Sequence, residues 1–385
     1  MARAPDRTGK ESRMRFLMIA SYAESLIAFR GPLIAALQEK GLEVHIAAPD
    51  LPAGHQVRAA LESRGVVVHH VPLQRTGMNP LADARTLLAL HRLMRRVRPA
   101  CVMSYTIKPV IYGMLAGWLA RVPRRFALIT GLGYAFREDS GRSRLRVVVQ
   151  RLYALALSRA HTTFFQNPDD EALFRRAQIL PAGKRSCIVN GSGVDVASFE
   201  VAPLPDDGPR FLLIARLLGD KGVREYAEAA RRIRARGAGA RFSLVGWIDA
   251  SPDAIAQDEL DAWVADGTVD FLGRLSDVRP AIAGCNVYVL PSYGEGTPRS
   301  VLEAMAMGRP IITTDAPGCR ETVVDGDNGL LVPVKSVGAL EQAMMQLIED
   351  WEQVVRMGQR SRQIAESKYD VRKVNAVMLR EMGLE

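Results

Sequence analysis

The chain has 385 residues, 48% apolar and 24% charged, the composition of an ordinary globular protein long enough for two full cores. Four cysteines, Cys101, Cys187, Cys285 and Cys319, lack paired spacing, which argues against zinc and a disulfide framework and favours a reducing compartment. The net charge of +9 is split: residues 1–190 hold 29 Lys+Arg against 13 Asp+Glu and residues 191–385 hold 22 against 29, so the halves face different partners.

Residues 1–13 read as a polar extension without the apolar stretch of a cleaved signal. Arg15–Ala20 is a candidate first strand, followed by a loop over Ser21–Gly31 and an amphipathic helix to about Lys40. Strand-like runs recur at Val44–Ala48, Val66–Val71, Cys101–Ser104, Phe126–Thr130, Thr162–Phe165 and Cys187–Val189. Helical patterns at Leu81–Val97, Val110–Ala120 and Arg144–Ser158 separate them. Such alternation predicts an α/β fold with a parallel sheet covered on both faces. The longest apolar run, Val110–Ala120, has eleven residues, too few to cross a bilayer.

Ligands of parallel sheets bind beyond the carboxyl ends of the strands. The loops to inspect are therefore those holding Phe29-Arg30-Gly31, Ser104–Pro109, Thr130–Phe136 and Gln166–Asp170. Lys108 and Tyr134 are the functional side-chain types in the second and third. Arginines crowd this half: Arg92, Arg95, Arg96 and Arg98, then Arg121, Arg124 and Arg125, then Arg142, Arg144, Arg146 and Arg151. The last group shares a helix with Leu145, Val148, Val149, Leu152 and Leu155, a pairing suited to the headgroup layer of an anionic membrane. Aromatics make up only 6% and no nucleic-acid motif is present, which argues against base-stacking platforms.

Asn190–Asp195, followed by Pro203, Pro205, Gly208 and Pro209, marks the domain boundary. It divides a first domain, 14–195, from a second, 196–368, with a terminal helix over 369–385. The second half restarts with a strand at Arg210–Ala215. Arg216 at its end and Lys221 at the start of the next helix converge on one point above the sheet, where two cations suit a diphosphate. Strands follow at Phe242–Gly246, Thr268–Leu272 and Val287–Leu290.

Pro291–Pro298 holds two glycines and two prolines and must be loop, with Ser292 and Thr297 as possible caps of the helix beginning at Pro298. That helix stops at Gly308, and Pro310–Thr314 is a buried strand. A helix start among glycines offers free N–H groups to a phosphate. Glu295 and Glu303 bracket it, and carboxylates beside a phosphate site best accept hydrogen bonds from sugar hydroxyls. The local chemistry therefore suggests a nucleotide sugar, with its ribose at Glu303 and its transferred sugar near Glu295. Asp325-Gly-Asp327 sits between apolar runs and reads as a turn, not a metal pair. Leu340–Ile348 and Val354–Ile364 are amphipathic helices.

The run PSYGEGTPRSVLEAMAMGRPIITTD resembles the donor-site signature of retaining family 4 glycosyltransferases. The resemblance implies the GT-B fold, two Rossmann-like domains facing across a cleft. It implies that Arg216 and Lys221 hold the donor diphosphate with Gly296, Thr297 and Pro298. Glu303 would take the ribose, and Gly273 and Leu275 would lie beside the base. Glu295, Arg216 and Lys221 would be the catalytic residues, with no metal and no cofactor besides the co-substrate, a UDP-linked hexose or N-acetylhexosamine. Asn190–Asp195 resembles the family's hinge, and the terminal helix would cross back onto the first domain. The loops of the first half resemble a subgroup that extends polyprenyl-diphosphate-linked sugars in bacterial surface glycans. Its acceptor-side candidates here are Gly31, Lys108, Gly131 and Tyr134, although many family members carry histidines in loops where this chain has none. Retention without an evident carboxylate nucleophile implies front-face attack. The expected location is the inner face of the cytoplasmic membrane. The competing readings are a sugar-nucleotide epimerase or phosphorylase of related fold, and a non-catalytic membrane-surface protein.

Overall fold

Apolar runs separated by helical patterns become two parallel sheets, joined by residues 189–209. The computed structural model describes residues 13–74, 77, 79–131, 143–249 and 251–385, without the side chains of 143–146. In the first half the chain runs β1 (Arg15–Ile19), α1 (Glu24–Glu39), β2 (Glu43–Ala48), α2 (Gln56–Glu62), β3 (Val67–His70), α3 (Pro80–Val97), β4 (Cys101–Tyr105) and α4 (Ile107–Leu119). It continues through β5 (Arg124–Ile129), α5 (Ser143–Leu157), β6 (Thr162–Phe165), α6 (Pro168–Arg176) and β7 (Arg185–Ile188). The seven strands lie in the order β3-β2-β1-β4-β5-β6-β7, every neighbouring pair parallel. Side chains alternate across a strand. Phe16 and Met18 of β1 thus enter the core beneath α1 and α2, while Leu17 and Ile19 enter the one beneath α3, α4 and α5.

The second half repeats the plan. Its order is β8 (Arg210–Arg216), α7 (Val223–Ala235), β9 (Arg241–Trp247), α8 (Gln257–Ala265), β10 (Asp270–Phe271), α9 (Arg279–Ala283), β11 (Val287–Leu290) and α10 (Arg299–Ala306). Then come β12 (Ile311–Thr314), β13 (Gly329–Val332), α11 (Val337–Glu349), α12 (Trp351–Ile364) and α13 (Val371–Met382). Six parallel strands are ordered β10-β9-β8-β11-β12-β13. Among the described residues no helix is long and apolar enough to cross a membrane.

The predicted strands recur within a few residues of their expected bounds, but α1 differs. It starts at Glu24 and runs through Pro32, so Phe29, Arg30 and Gly31 are helical instead of forming a loop. Leu26, Leu33, Ile34 and Leu37 lie at helical spacing against the sheet, and burying them outweighs the backbone bond that Pro32 forgoes. β13, which carries no long apolar run of its own, extends the second sheet beside β12.

Two strands of chain pass between the domains at one place. Val194 N donates to the Tyr369 carbonyl at 2.8 Å, and Val371 N donates to the Val194 carbonyl at 2.9 Å. Gly193, at φ +70°, has Val371 Cα 2.6 Å from where a Cβ would stand, so only glycine permits this crossing. Beyond it α13 places Met378, Leu379 and Met382 in the first domain's core beside α1.

Arg309 pins the linker to the second domain. It is fully buried, and its guanidinium donates to the carbonyls of Ile282 (3.0 Å), Ala202 (2.9 Å), Pro203 (3.0 Å) and Ala283 (3.1 Å). Removing it leaves these carbonyls unsatisfied around a cavity. Arg309→Ala should cost about 3 kcal/mol or more of unfolding free energy, read from urea unfolding. A change within experimental error would show that water replaces the guanidinium without loss.

Candidate active site

The loop 291–298 leaves β11 at the carboxyl edge of the second sheet and leads into α10. Glycines clamp it from both sides. A Cβ at Gly222 (φ +70°) would strike the Pro291 carbonyl, and one at Gly318 (φ +78°) would strike the Glu295 carbonyl. Backbone bonds complete the clamp, Tyr293 N to Asp220 O at 2.8 Å and Glu295 N to Pro317 O at 2.9 Å.

Neither expected cap serves α10. Its capping position is Pro298, which has no side-chain donor or acceptor to offer. Ser292 Oγ instead donates to the Asp220 carbonyl at 3.2 Å, and Thr297 Oγ1 donates to the Gln166 carbonyl of the first domain at 3.0 Å. The first turn of α10 thus lacks a side-chain cap, the condition in which a helix start receives an anion.

The sequence-predicted cations take separate partners. Lys221, at the end of the short turn Gly219–Lys221, places Nζ 2.5 Å from Glu295 Oε1, and both side chains are largely buried. Arg216 Nη1 donates to Asp249 Oδ2 at 2.7 Å, and its side chain remains 38% exposed. Glu303 Oε1 accepts from Arg299 Nε at 2.7 Å, one turn back on α10. Burial pushes the Glu303 carboxyl above its usual range, and Arg299 works against that rise. Gly273, at φ +68°, accepts from Gly246 N at 2.9 Å, and Leu275 packs half-buried on the neighbouring core.

The first domain closes directly onto this loop. Asn167 caps α6 by accepting from Asp170 N at 2.7 Å. Its amide donates across the cleft to the carbonyls of Glu295 (3.2 Å) and Gly296 (3.1 Å). Gly131 packs against this loop so closely that a Cβ there would lie 3.5 Å from Gly296 N. Arg320 pairs with Asp169 at 3.0 Å nearby. Burial pushes the Asp170 carboxyl up to about 7, despite its hydrogen bond from Asn167; Asp169 and Glu321 add to the rise.

Among the acceptor-side candidates, Gly31 is inside α1 and Gly131 meets the donor loop. Lys108 Nζ lies 2.9 Å from Asp83 Oδ1, and this largely buried pair ties α4 to α3. Tyr134 lies outside the described residues. Asp325 accepts from Leu331 N at 2.9 Å and Asp327 pairs with Arg360 at 2.7 Å, so both serve the turn before β13. No cluster of three metal-ligating side chains occurs among the described residues. Asn167 is the main residue that sequence reasoning missed. Its only signal is Asn before Pro-Asp-Asp, a helix-start pattern that says nothing of its second partner.

Residues 208–350 match the family model described as glycosyl transferases group 1, and residues 30–191 match a glycosyl transferase 4-like domain. The N,N'-diacetylbacillosaminyl-diphospho-undecaprenol alpha-1,3-N-acetylgalactosaminyltransferase of Campylobacter jejuni is 30% identical over 88% of this chain and 90% of its own. A UDP-Gal:alpha-D-GlcNAc-diphosphoundecaprenol alpha-1,3-galactosyltransferase of Escherichia coli is 25% identical over 73% of this chain and 74% of its own. Among solved structures, the sucrose-phosphate synthase of Thermosynechococcus elongatus superposes with a TM-score of 0.78 at 20% identity, covering 96% of this chain and 98% of that one. Anabaena HepE in complex with UDP gives 0.76 at 17% identity, covering 96% and 100%. The structural likeness is one of fold, the two-domain GT-B arrangement.

Gly296 isolates what the contact between the domains is worth. Its φ is outside the left-handed region, so the loop itself tolerates alanine. A Cβ there would collide with Gln166 Oε1 and the Thr130 carbonyl, both from the first domain. Gly296→Ala should therefore leave the thermal midpoint nearly unchanged and lower kcat/KM by at least tenfold, because the domains cannot close to this distance. Wild-type turnover would show that closure at this point is dispensable.

Proposed function

This chain belongs to the group 1 glycosyltransferases, and on that premise we propose that it moves a hexose or N-acetylhexosamine from UDP to a sugar carried on a polyprenyl diphosphate. The observation that carries the donor half is the uncapped start of α10 with Lys221 and Glu295 paired beside it. The acceptor half rests on the two curated relatives, whose names give undecaprenyl-diphosphate-linked sugars as their acceptors.

In this reading the donor diphosphate lies at the α10 start, within reach of Arg216 and Lys221. As the bond from the sugar C1 to the diphosphate oxygen breaks, negative charge builds on that oxygen. The two cations and the helix start stabilise it more than they stabilise the intact donor. The acceptor hydroxyl attacks C1 from the same face, and its proton passes to the departing diphosphate oxygen. Glu295 is held by Lys221 and accepts from a hydroxyl of the transferred sugar, without acting as nucleophile. Glu303 takes the ribose hydroxyls. The cations do the work that a metal ion would do, so the reaction needs neither metal nor cofactor.

Arg216→Ala and Lys221→Ala should each lower kcat/KM about tenfold to a hundredfold, the loss expected for a charge-assisted contact that strengthens in the transition state. Glu303→Gln should raise the donor KM, whereas Glu295→Gln should lower kcat. Activity should persist in EDTA. Steady-state assays with a radiolabelled sugar nucleotide read all of these. Unchanged kinetics in both cation variants would remove the donor site from this place.

The acceptor also fixes where the enzyme works, since a polyprenyl-linked sugar cannot leave the membrane surface. Trp118 and Leu119 at the end of α4 and Val147, Val148 and Leu155 on α5 are exposed, and the two helices pack together. Arg159 stacks on Trp118 at 4.2 Å. Of the arginines expected to flank this face, Arg142 and the side chains of Arg144 and Arg146 lie outside the described residues. The apolar face, with Arg159 beside it, favours peripheral docking on the inner leaflet. The protein should co-sediment with phosphatidylglycerol vesicles at low salt and release as salt rises. Val148→Asp with Leu155→Asp should weaken that binding without altering the Kd for UDP. Absence of wild-type binding at low salt would point to a soluble acceptor.

A further inference from the structure

Arg30 is a buried cation without an anion. It lies on α1 with 3% of its surface exposed, and its Nε has no hydrogen-bond partner. No ion pair or hydrogen bond holds its guanidinium among the described residues. Its guanidinium lies over the face of Tyr105, 5.0 Å from the ring centroid, at the carboxyl end of β4. The other charge that it feels is Arg299, a second cation. Burial, partly offset by Tyr105 and reinforced by Arg299, lowers its pKa to about 10, which leaves it charged at neutral pH.

Among the described residues, the other well-buried cations at the cleft and in the cores are compensated. Lys221 has Glu295, Lys108 has Asp83, and Arg309 has its ring of carbonyls. Burying an unpaired charge costs several kcal/mol, and a second cation nearby adds to the cost. Arg299 comes from the opposite domain, as the first residue of α10. Its guanidinium lies 5.4 Å from the ring centroid of Phe29, the neighbour of Arg30, and its Nε is taken by Glu303. The α1–α10 contact across the cleft therefore brings two guanidiniums near one another, with only the Glu303 carboxylate on the Arg299 side to offset them. An anion placed there would turn their repulsion into attraction. Guanidinium groups present planar forks of N–H donors that fit phosphate oxygens, and two of them match the charge of a diphosphate.

We propose that Arg30 and Arg299 form a second diphosphate subsite, distinct from the one at Arg216 and Lys221. The proposal rests on the glycosyltransferase reading above, in which two diphosphates enter the cleft, one on the donor and one on the acceptor. Arg216, Lys221 and Arg299 each hold a carboxylate already, whereas Arg30 has none among the described residues.

The test uses the full chain and binding probes that need no turnover: inorganic pyrophosphate, UDP, and undecaprenyl diphosphate in detergent micelles. Arg30→Met keeps the length and removes the charge. A residue serving only as packing would lower the thermal midpoint when so replaced. A ligand-binding cation should instead leave the midpoint of the unliganded protein unchanged or higher, because an unpaired buried charge has been removed. Binding of at least one probe should weaken tenfold or more. Loss confined to undecaprenyl diphosphate assigns the acceptor's diphosphate, whereas an equal loss for UDP would make the pair part of the donor site and overturn a distinct subsite. If Arg30→Met is too unstable to purify, Arg299→Met, on the more exposed side of the pair, should weaken the same probe. Unchanged binding of all three probes in both variants overturns the subsite. Failure of the wild type to bind UDP at all would instead sink the donor reading, and the pyrophosphate measurement would still report on Arg30.

Discussion

The peptide between Glu295 and Gly296 is gripped from both domains, and the rest of the site depends on that grip. The second domain supplies the loop and fixes it through Pro317, Gly318 and Asp220. The first domain holds both carbonyls through the Asn167 amide. One buried side chain thus reads whether the domains are closed, and it acts on the backbone of the residue that carries the Glu295 carboxylate. Since Asn167 also caps α6, its amide is oriented by the helix it starts. This is preorganisation in a literal sense: the loop is built by one half and registered by the other.

Strand positions are legible in the sequence because parallel strands buried on both faces are written as unbroken apolar runs. Val287–Leu290 and Thr162–Phe165 keep their bounds for this reason. The residue types of the donor loop are legible too, since glycines and prolines forbid a helix there. Partners across long loops are not. Lys221 reaches Glu295 only because Gly222 adopts φ +70° beneath the Pro291 carbonyl, and no local pattern encodes that approach. Thr297 has the chemistry of a cap but spends its hydroxyl on Gln166 of the other domain. Arg30 and Gly31 look like loop residues because Pro32 follows, yet the apolar spacing around them wins and the helix runs on. In each case tertiary contact overrides a local preference.

Lys221 and Arg216, the proposed donor cations, differ in how freely they can be recruited. Lys221 and Glu295 are both largely buried, so separating them would strand a charge at a cost of several kcal/mol. A diphosphate is therefore better accommodated by adding to this pair than by breaking it. Arg216 and Asp249 are more exposed, at 38% and 24%, and an exposed pair is worth at most about 1 kcal/mol. Arg216 can leave Asp249 for a phosphate almost without loss. In the proposed reaction the site would thus combine a fixed cation that orients Glu295 with a movable one that follows the leaving group.

Closure itself has to be reversible, because products must leave, and the distribution of contacts meets that need. The permanent connection is at the hinge, where Val194 bonds on both sides to the chain around Asp370 and α13 is locked into the first core by Met378 and Met382. Away from the hinge the contacts between the domains among the described residues include the polar ones of Asn167 and Thr297, the partly exposed Arg320–Asp169 pair and Arg299 over the Phe29 ring. Contacts of this kind are directional but weak, and they exchange readily with water. Arg30 feels the like charge of Arg299 across the cleft, and in the proposed subsite an anion between them would offset that repulsion. A cleft hinged on an apolar lock and held elsewhere by weak polar contacts can open and close without breaking the connection between its domains.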